Sequence, residues 1–415
     1  MLIIVNSAGA SRPEGTTLEK TNPVTKSVVM VEAAKDYGST QIESAVQSSF
    51  AALDRRGLTV RPGSRVFVKI NTLSPRRNPE SAVNTHPAVL REVLRCLLDR
   101  RAKPVVGDDV NAGREDPFRI PGQRAICREL GVKLVNLRKE GFREIPIDGR
   151  RLRSVFISRP VLEADLVINV PKLKTHSLTG LTCAVKNMYG VMPAGERLRI
   201  HRLFPMNEPF CEALVDIFAA VRPQFQICDA VIAMEGEGPS GGRPRPVGCI
   251  LAGPDAIALD AVASHLIGIR PLDVATTRIA HERGLGQGDL ARIETSGVPL
   301  EGLRMADFKH SVVAFSFLRT RLPSSLYAWV QGRLVMTPEI DPSRCTLCRD
   351  CIRICPLRTI MERDDKVWID LSRCIHCLCC HEVCPSKAIR LKKTRFGVLL
   401  QAVGAAWERA SRLLR

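Results

Sequence analysis

The sequence predicts a large α/β domain with a mostly parallel sheet, followed by a small cysteine-rich domain. A chain of 415 residues is longer than a single hydrophobic core usually supports. From residue 28 to 305, short β-branched runs alternate with longer amphipathic stretches, as in βαβ units. Nine of the fifteen cysteines fall in the last fifth of the chain. Two separate cores are therefore expected.

The predicted segments follow from these patterns and from changes in composition. We expect a flexible extension at residues 1–27, the α/β domain at 28–305, a connector at 306–338, the small domain at 339–392 and a basic C-terminal helix at 393–415. Strands are predicted at residues 28–31, 66–68, 105–106, 165–170, 225–234 and 249–252. Helices are predicted at residues 41–53, 87–98 and 255–267. Thr85 is expected to cap the second of these helices.

The net charge, the cysteines and the lack of long apolar stretches argue against several classes of protein. The net charge is +18, but the arginines are scattered in pairs, only 5 % of residues are aromatic, and no nucleic-acid-binding motif accompanies them. No nucleic-acid partner is expected. The first residues lack the basic leader and apolar core of a signal peptide, and no stretch reaches the 18 to 20 or so apolar residues of a bilayer span. We expect a cytoplasmic protein whose cysteines are metal ligands.

Two runs of cysteines near the end of the chain share the pattern C-x2-C-x2-C-x3-C-P. The first three thiolates of such a run wrap one face of a [4Fe-4S] cubane, while the fourth reaches the other cluster. We therefore predict two [4Fe-4S] clusters with crossed ligation. The predicted ligands of cluster 1 are Cys345, Cys348, Cys351 and Cys384. Those of cluster 2 are Cys374, Cys377, Cys380 and Cys355.

A zinc site or a disulfide scaffold is the alternative, but zinc sites rarely use a run of four cysteines. Cys379 is an extra thiol that we predict to be a bystander, and His376 and His381 are expected to shade the cluster sulfurs. Residues 339–392 resemble a bacterial two-cluster ferredoxin. The resemblance implies a small α+β ferredoxin-like fold that passes single electrons. No further cofactor is identifiable from the sequence.

The string NVPKLKTH, followed by TGLT and VKNMYG, is the most unusual part of the large domain. It concentrates positive charge at the carboxyl end of a predicted strand, where open α/β sheets bind ligands. Lysine ammoniums, a histidine and the amides of a helix start would suit a phosphate or carboxylate. A solvated loop is the alternative. The candidate ligand-binding residues in this block are Lys172, Lys174, His176, Lys186 and Asn187.

Other polar residues of the large domain are expected to complete this site. Lys69 and Asn71 follow an earlier strand, and we predict that they share a pocket with Lys174 and His176. Asp260 lies among apolar residues of a predicted helix, so a buried partner such as a lysine is expected. The loop EGEGPSG lacks the lysine-serine ending of a P-loop and is a weak nucleotide signal. The acid-base candidates are Glu235, Glu237 and Asp260.

Together the strings VKIN, NTHP, NVPKLKTH, VKNMYG and ALDAV resemble the domain of unknown function 362, across about residues 28–300. The family commonly has Lys-Pro-Asn where this chain has Lys69-Ile70-Asn71, which leaves the backbone less constrained there. The resemblance implies an α/β domain coupled to iron-sulfur chemistry and names no substrate.

The leading functional hypothesis is a redox enzyme in which two [4Fe-4S] clusters relay single electrons to or from an anion site in the α/β domain. A non-catalytic electron carrier or accessory protein that docks a redox partner is the first alternative, and delivery of clusters to another protein is the second. The expected partners are an electron donor or acceptor protein and a small anion.

The chain's last segment adds a prediction about location. From residue 396 to 414, apolar residues fall on one side of a helix and lysines and arginines fill the remainder. Such a helix can lie on an anionic membrane surface, which would place the protein at the inner face of the membrane. The alternative is that it packs on the protein itself.

Overall fold

The computed structural model describes residues 27–111, 115–310 and 335–392, together with residues 323, 326, 329, 330, 333, 394 and 396. The predicted extension at 1–27 and the C-terminal helix at 393–415 lie almost wholly outside these residues, and so does much of the predicted connector.

Within the described residues, ten strands of the α/β domain form one sheet, and two more form a separate hairpin. The strands are β1 Ser27–Ala33, β2 Arg65–Ile70, β3 Lys103–Asp108, β4 Lys133–Asn136, β5 Phe142–Pro146, β6 Ser154–Ser158, β7 Leu166–Val170, β8 Lys172–His176, β9 Gly180–Thr182, β10 Phe225–Glu235, β11 Arg243–Gly253 and β12 Ile293–Gly297. The sheet has the order β12-β1-β11-β10-β7-β2-β3-β4, with β8 and β9 extending from β10. Most neighbours are parallel, but β11 is antiparallel to β1 and β10, and β9 to β8. The predicted α/β class is therefore confirmed.

Helices cover both faces of this sheet. They are α1 Ser39–Asp54, α2 Pro87–Asp99, α3 Gln123–Glu129, α4 Arg159–Leu162, α5 Ala184–Asn187, α6 Ala194–Leu203, α7 Asn207–Val221, α8 Ala256–Leu266 and α9 Ala275–Glu282. Because alternate residues of a strand face opposite sides, Val28 and Met30 join one core with α1 and α2, while Val29 and Val31 join the other with α7 and α8. Burial on both faces explains why the strands are such continuous apolar runs.

The predicted cap of α2 is wrong. The N-cap residue is His86, whose Nδ1 accepts a hydrogen bond from the Ala88 N–H at 3.2 Å. Thr85 instead donates its hydroxyl to the Val170 carbonyl at 2.7 Å and accepts from the Asn71 N–H at 2.9 Å. Thr85 thus ties the start of α2 to the ends of two neighbouring strands.

Pro171 separates β7 from β8 and sets the position of the lysine block. Proline has no N–H to donate, so the pairing of β7 with β2 ends at Val170. The chain then continues along the second half of β10, where Lys172 pairs with Asp229 and Lys174 with Met234. The block is therefore carried beyond the carboxyl end of the parallel strands.

The small domain has the predicted α+β architecture. Its elements are β13 Thr337–Ile340, α10 Asp350–Ile354, β14 Ile360–Arg363, β15 Lys366–Ile369, α11 Cys379–Val383 and β16 Ile389–Lys392. β13 pairs with β16, and β14 with β15, both antiparallel. Each helix follows a loop that carries cysteines, and the two helices contact one another. The fold therefore brings the two cysteine runs together.

Candidate functional site

Two cavities in the small domain are each lined by at least four cysteines. The first, of about 350 Å³, is lined by Cys345, Cys348, Cys351 and Cys384. The second, also of about 350 Å³, is lined by Cys355, Cys374, Cys377, Cys379 and Cys380. In each cavity one thiol comes from the opposite run, which is the predicted crossed grouping. Four thiols around a cavity of this size fit a cubane cluster.

Cys379, which we predicted to be a bystander thiol, lines the second cavity. It is buried, and the hydrogen bond from its thiol lowers the pKa of Cys377. The neighbouring His381 is also buried and contacts two carbonyl oxygens, that of Ile389 through Nδ1 at 2.7 Å and that of Glu237 through Nε2 at 3.3 Å. His381 therefore links the small domain to the α/β domain.

The glycine-rich loop that follows β10 is a docking surface for the small domain. The Ser240 hydroxyl donates to the Glu382 carbonyl at 2.6 Å, and the Lys387 ammonium donates to the Gly242 carbonyl at 3.0 Å. A Cβ at Gly238 would lie 2.0 Å from the Thr175 carbonyl oxygen, so only glycine lets the loop pack this closely on β8. The loop positions the cysteine-rich helix α11 against the lysine block.

A polar cavity of about 520 Å³ lies where the two domains meet. Most of its wall comes from the α/β domain, at the ends of β2, β3 and β8 and around α5, and Glu382 closes it from the small domain. Glu382 is carried by α11, between the cysteines at positions 380 and 384. The lining residues are Lys69, Asn71, Thr72, Leu73, Asp108, Asp109, Lys174, Thr182, Lys186, Asn187, Tyr189, Gly190, Arg197, Pro239 and Glu382.

Two lysines of the cavity have no carboxylate partner within 4 Å among the described residues. Lys174 donates to the Val83 carbonyl at 2.7 Å, and the Lys186 ammonium lies 5.8 Å from the centre of the Tyr189 ring. Burial lowers the pKa of Lys174 well below its usual value, and the charge of Lys186 lowers it further. Burial also lowers the pKa of Lys186. An anion in the cavity would relieve this repulsion.

The other charges of the cavity are paired. Lys69 and Asp108 form a buried ion pair at 2.8 Å, and Arg197 contacts Asp109 at 2.8 Å. A Cβ at Gly190 would lie 2.5 Å from Asp108 Oδ1, so glycine is needed beside this ion pair. The carboxylates of Asp108 and Asp109 therefore balance Lys69 and Arg197. Lys174 and Lys186 share the charge of Glu382, which lies more than 4 Å from either ammonium and only partly offsets the lowering of their pKa values by burial.

Lys172 and His176, which we predicted to bind a ligand, do not line the cavity. Lys172 is fully buried and forms an ion pair with Asp229 at 2.8 Å. His176 Nδ1 accepts hydrogen bonds from the N–H groups of Leu178 and Thr179, so its proton is on Nε2. That nitrogen lies 3.3 Å from Glu382 Oε1. His176 can therefore reach the cavity only through Glu382.

None of the three predicted acid-base residues lines the cavity. Glu235 accepts from the Lys309 N–H at 3.1 Å, and the contact that Glu237 makes to the small domain is through its carbonyl. Asp260 accepts from the N–H groups of Ala184 and Val185 at 2.6 and 3.2 Å. The lysine partner expected for Asp260 is wrong, because these N–H groups at the start of α5 satisfy the carboxylate. Burial still raises its pKa to about 6.

Several cavity residues were missed from the sequence. Asp108 and Asp109 end β3, a position where polar residues approach the ligand edge of a parallel sheet, so the signal was present. Arg197 and Glu382 gave no signal of this kind, because the cavity acquires them only when α6 and the small domain dock. The missed residues are Asp108, Asp109, Tyr189, Arg197 and Glu382.

These features define a protein in which a cysteine-rich electron-transfer domain closes a polar cavity of an α/β domain. Residues 337–385 match the 4Fe-4S dicluster domain, and residues 66–265 match the family described as Domain of unknown function (DUF362). Both predicted resemblances are confirmed. The α/β domain is thus similar to the DUF362 family, and the small domain is similar to the 4Fe-4S dicluster domain, which supports iron-sulfur electron transfer.

A related sequence and two of the similar solved structures show what the chain is similar to. A thylakoid-associated protein of Synechocystis sp. is 29 % identical over 262 residues, which are 63 % of this chain and 80 % of that protein. The lactate racemase apoprotein of Thermoanaerobacterium thermosaccharolyticum is 12 % identical, with a TM-score of 0.37 over 55 % of this chain and 54 % of that one. A protein from Thermotoga maritima is 15 % identical, with a TM-score of 0.33 over 51 % of this chain and 55 % of that one. The chain spans about half the length of each of these two structures.

In the described ranges, no helix has the length and hydrophobicity that crossing a bilayer requires.

Proposed function

We propose that this protein is an oxidoreductase in which two [4Fe-4S] clusters relay single electrons to or from a small anionic substrate at the domain interface. Cluster 1 would be held by Cys345, Cys348, Cys351 and Cys384. Cluster 2 would be held by Cys355, Cys374, Cys377 and Cys380. Bound there, the clusters supply one-electron transfer.

The observation that carries this proposal is the position of Glu382. This residue lies on α11, which bears the proposed ligand Cys380 and is followed directly by the proposed ligand Cys384, and its side chain also lines the cavity that contains Lys174 and Lys186. A molecule in the cavity would therefore contact the helix that holds the clusters. Lys186 and Lys174 would bind its anionic group, and the ion pair of Lys69 and Asp108 would keep the opposite wall in place.

The test uses anaerobically reconstituted full-length protein and inorganic phosphate as the probe. In the unmodified protein and in the control Lys133→Gln, which changes an exposed lysine of β4, phosphate should raise the melting temperature and change the electron paramagnetic resonance spectrum of the reduced clusters. In Lys186→Gln the affinity for phosphate should fall about tenfold or more, because a charge-assisted hydrogen bond is lost. Phosphate binding that leaves the cluster spectrum unchanged would contradict the proposal, and so would equal binding by Lys186→Gln.

A carrier function is the second candidate, and one surface feature favours it. Met361 and Trp368 are cross-strand partners of the β14–β15 hairpin, and they are 49 % and 58 % exposed, with Leu371 nearby in sequence at 47 %. Exposed apolar groups on an electron-transfer domain suit the docking of an electron donor or acceptor protein. For a pure carrier, partner reduction would proceed equally well in Lys186→Gln.

Contact with an anionic membrane surface is a separate proposal for the basic segment 393–415. Its support is the amphipathic sequence pattern and the printed name of the Synechocystis relative, which is thylakoid-associated. Deleting residues 394–415 should abolish sedimentation with anionic vesicles. Equal sedimentation of the truncated chain, or none by the intact chain, would contradict the proposal.

A further inference from the structure

Buried polar atoms without a hydrogen-bond partner concentrate on the wall of the interface cavity. Native proteins leave few such atoms unpaired, so a group of them in one cavity indicates a missing ligand. Four of the five atoms here can accept a hydrogen bond. Among the described residues they are Asn71 Oδ1, Asp109 Oδ2, Thr182 Oγ1, Asn187 Oδ1 and Arg197 Nε.

A chain of amides fixes the orientation of Asn187. Gln226 donates its amide N–H to the Pro223 carbonyl at 2.9 Å, so its oxygen is left to accept from Asn169 at 2.9 Å. The Asn169 oxygen in turn accepts from the Asn187 amide nitrogen at 2.7 Å. Because each amide is oriented by the one before it, Asn187 Oδ1 is an acceptor without a donor.

Asp109 provides a second acceptor of this kind. Its Oδ1 accepts from both Arg138 at 3.0 Å and Arg197 at 2.8 Å, while Oδ2 has no partner. The two arginines hold the Asp109 carboxylate in place, and Asp109 is itself buried. The cavity therefore has one region that needs an anion, at Lys174 and Lys186, and another that needs hydrogen-bond donors.

We propose that the ligand of this cavity is a small polar anion, a carboxylate or a phosphate ester, that also carries at least one hydroxyl or amino group. The inference rests on the proposed function, since it assigns the chemical class of the ligand at the same site. The anionic group binds Lys174 and Lys186, and the hydroxyl or amino group donates to Asn71, Asp109 or Asn187. The polar lining, with a few convergent charged and amide groups, suits a small molecule of this kind.

The experiment measures affinity for pairs of compounds that differ in the donor group. Acetate is compared with glycolate, and propyl phosphate with glycerol 3-phosphate, by isothermal titration calorimetry on the reconstituted full chain under anaerobic conditions. In at least one pair the hydroxylated member should bind about tenfold more tightly, the effect of one hydrogen bond to a buried acceptor.

The variants remove single unpaired groups. Asn71→Leu, Asp109→Asn and Asn187→Leu each remove or change one of the three proposed acceptors, and at least one of them should reduce the preference several-fold. The matched control is Thr277→Val, which deletes an equally buried and unpaired hydroxyl on α9, outside the cavity. It should keep the full preference.

Equal affinity within both pairs, no binding by any of the four compounds, or a preference that survives all three cavity variants would overturn the inference. Failure of this inference is distinguishable from failure of the proposed function. If phosphate still alters the cluster spectrum but the hydroxyl group adds no affinity, only the ligand class is wrong. If the hydroxylated compounds bind preferentially but no ligand alters the clusters, only the redox coupling is wrong.

Discussion

Lys172 and Lys174 lie two residues apart on β8, and both are buried, but their surroundings differ. Lys172 donates to the Tyr37 hydroxyl at 2.6 Å and to Asp229 at 2.8 Å. Tyr37 also donates to Asp229 at 2.9 Å and stacks on His86 with 3.5 Å between ring centroids. Every charge in this cluster has its partner within the protein.

The surroundings of Lys174 are the opposite. Its bond to a backbone carbonyl leaves the charge itself without a carboxylate partner in the described part of the chain, and unpaired acceptors line the same cavity. A fully paired buried charge can be a structural feature, whereas a buried charge surrounded by unpaired groups indicates a ligand. We therefore expect different roles for these two lysines, which lie two residues apart on β8.

The largest expected effect comes from breaking the paired cluster. Asp229→Ala leaves the Lys172 ammonium buried without a counter-charge, and it also removes the acceptor of the His86 N–H. We expect a loss of about 3–5 kcal/mol in the free energy of unfolding. Urea unfolding followed by circular dichroism measures this.

A double variant tests whether the stability lost in Asp229→Ala is due to the unpaired charge of Lys172. Replacing both partners, with Lys172→Met and Asp229→Leu, leaves no buried charge unpaired and should recover most of the lost stability. If the single substitution cost less than about 1 kcal/mol, Lys172 would not depend on Asp229. The comparison between the two lysines would then have no basis.

Features that depend on local sequence could be predicted, and features that depend on long-range contacts could not. The predicted cysteine ligand sets rest on spacing alone, because the spacing within each run is a property of a local loop and helix. Six of the twelve strands described in the α/β domain follow from their β-branched runs, since burial on both faces requires apolar residues at nearly every position. They are β1, β2, β3, β7, β10 and β11.

The members of the interface cavity depend on long-range contacts instead. The role of Lys172 is set by Asp229 on another strand, and Glu382 reaches the cavity only because the glycine-rich loop docks α11 there. No local pattern encodes either contact. The sequence analysis therefore grouped Lys172 and His176 with Lys174 and Lys186, whereas only the latter two line the interface cavity.

Replacing Lys186 in the cavity should have a smaller effect on the free energy of unfolding than Asp229→Ala. This substitution should stabilise the fold rather than destabilise it. Since burial lowers the pKa of Lys186, the unfolded chain binds more protons than the folded chain between that lowered pKa and about 10.4. Burial of this lysine costs stability at every pH below about 10.4, so Lys186→Met should raise the free energy of unfolding at pH 7. The gain should shrink as the pH rises through the window and vanish above it, because the lysine is then neutral in both states. Urea unfolding between pH 7 and 10.5 tests this, with Lys133→Met at an exposed position as the control that should show no such gain. A loss of stability in Lys186→Met at pH 7 would mean that this lysine has a structural partner, as Lys172 does.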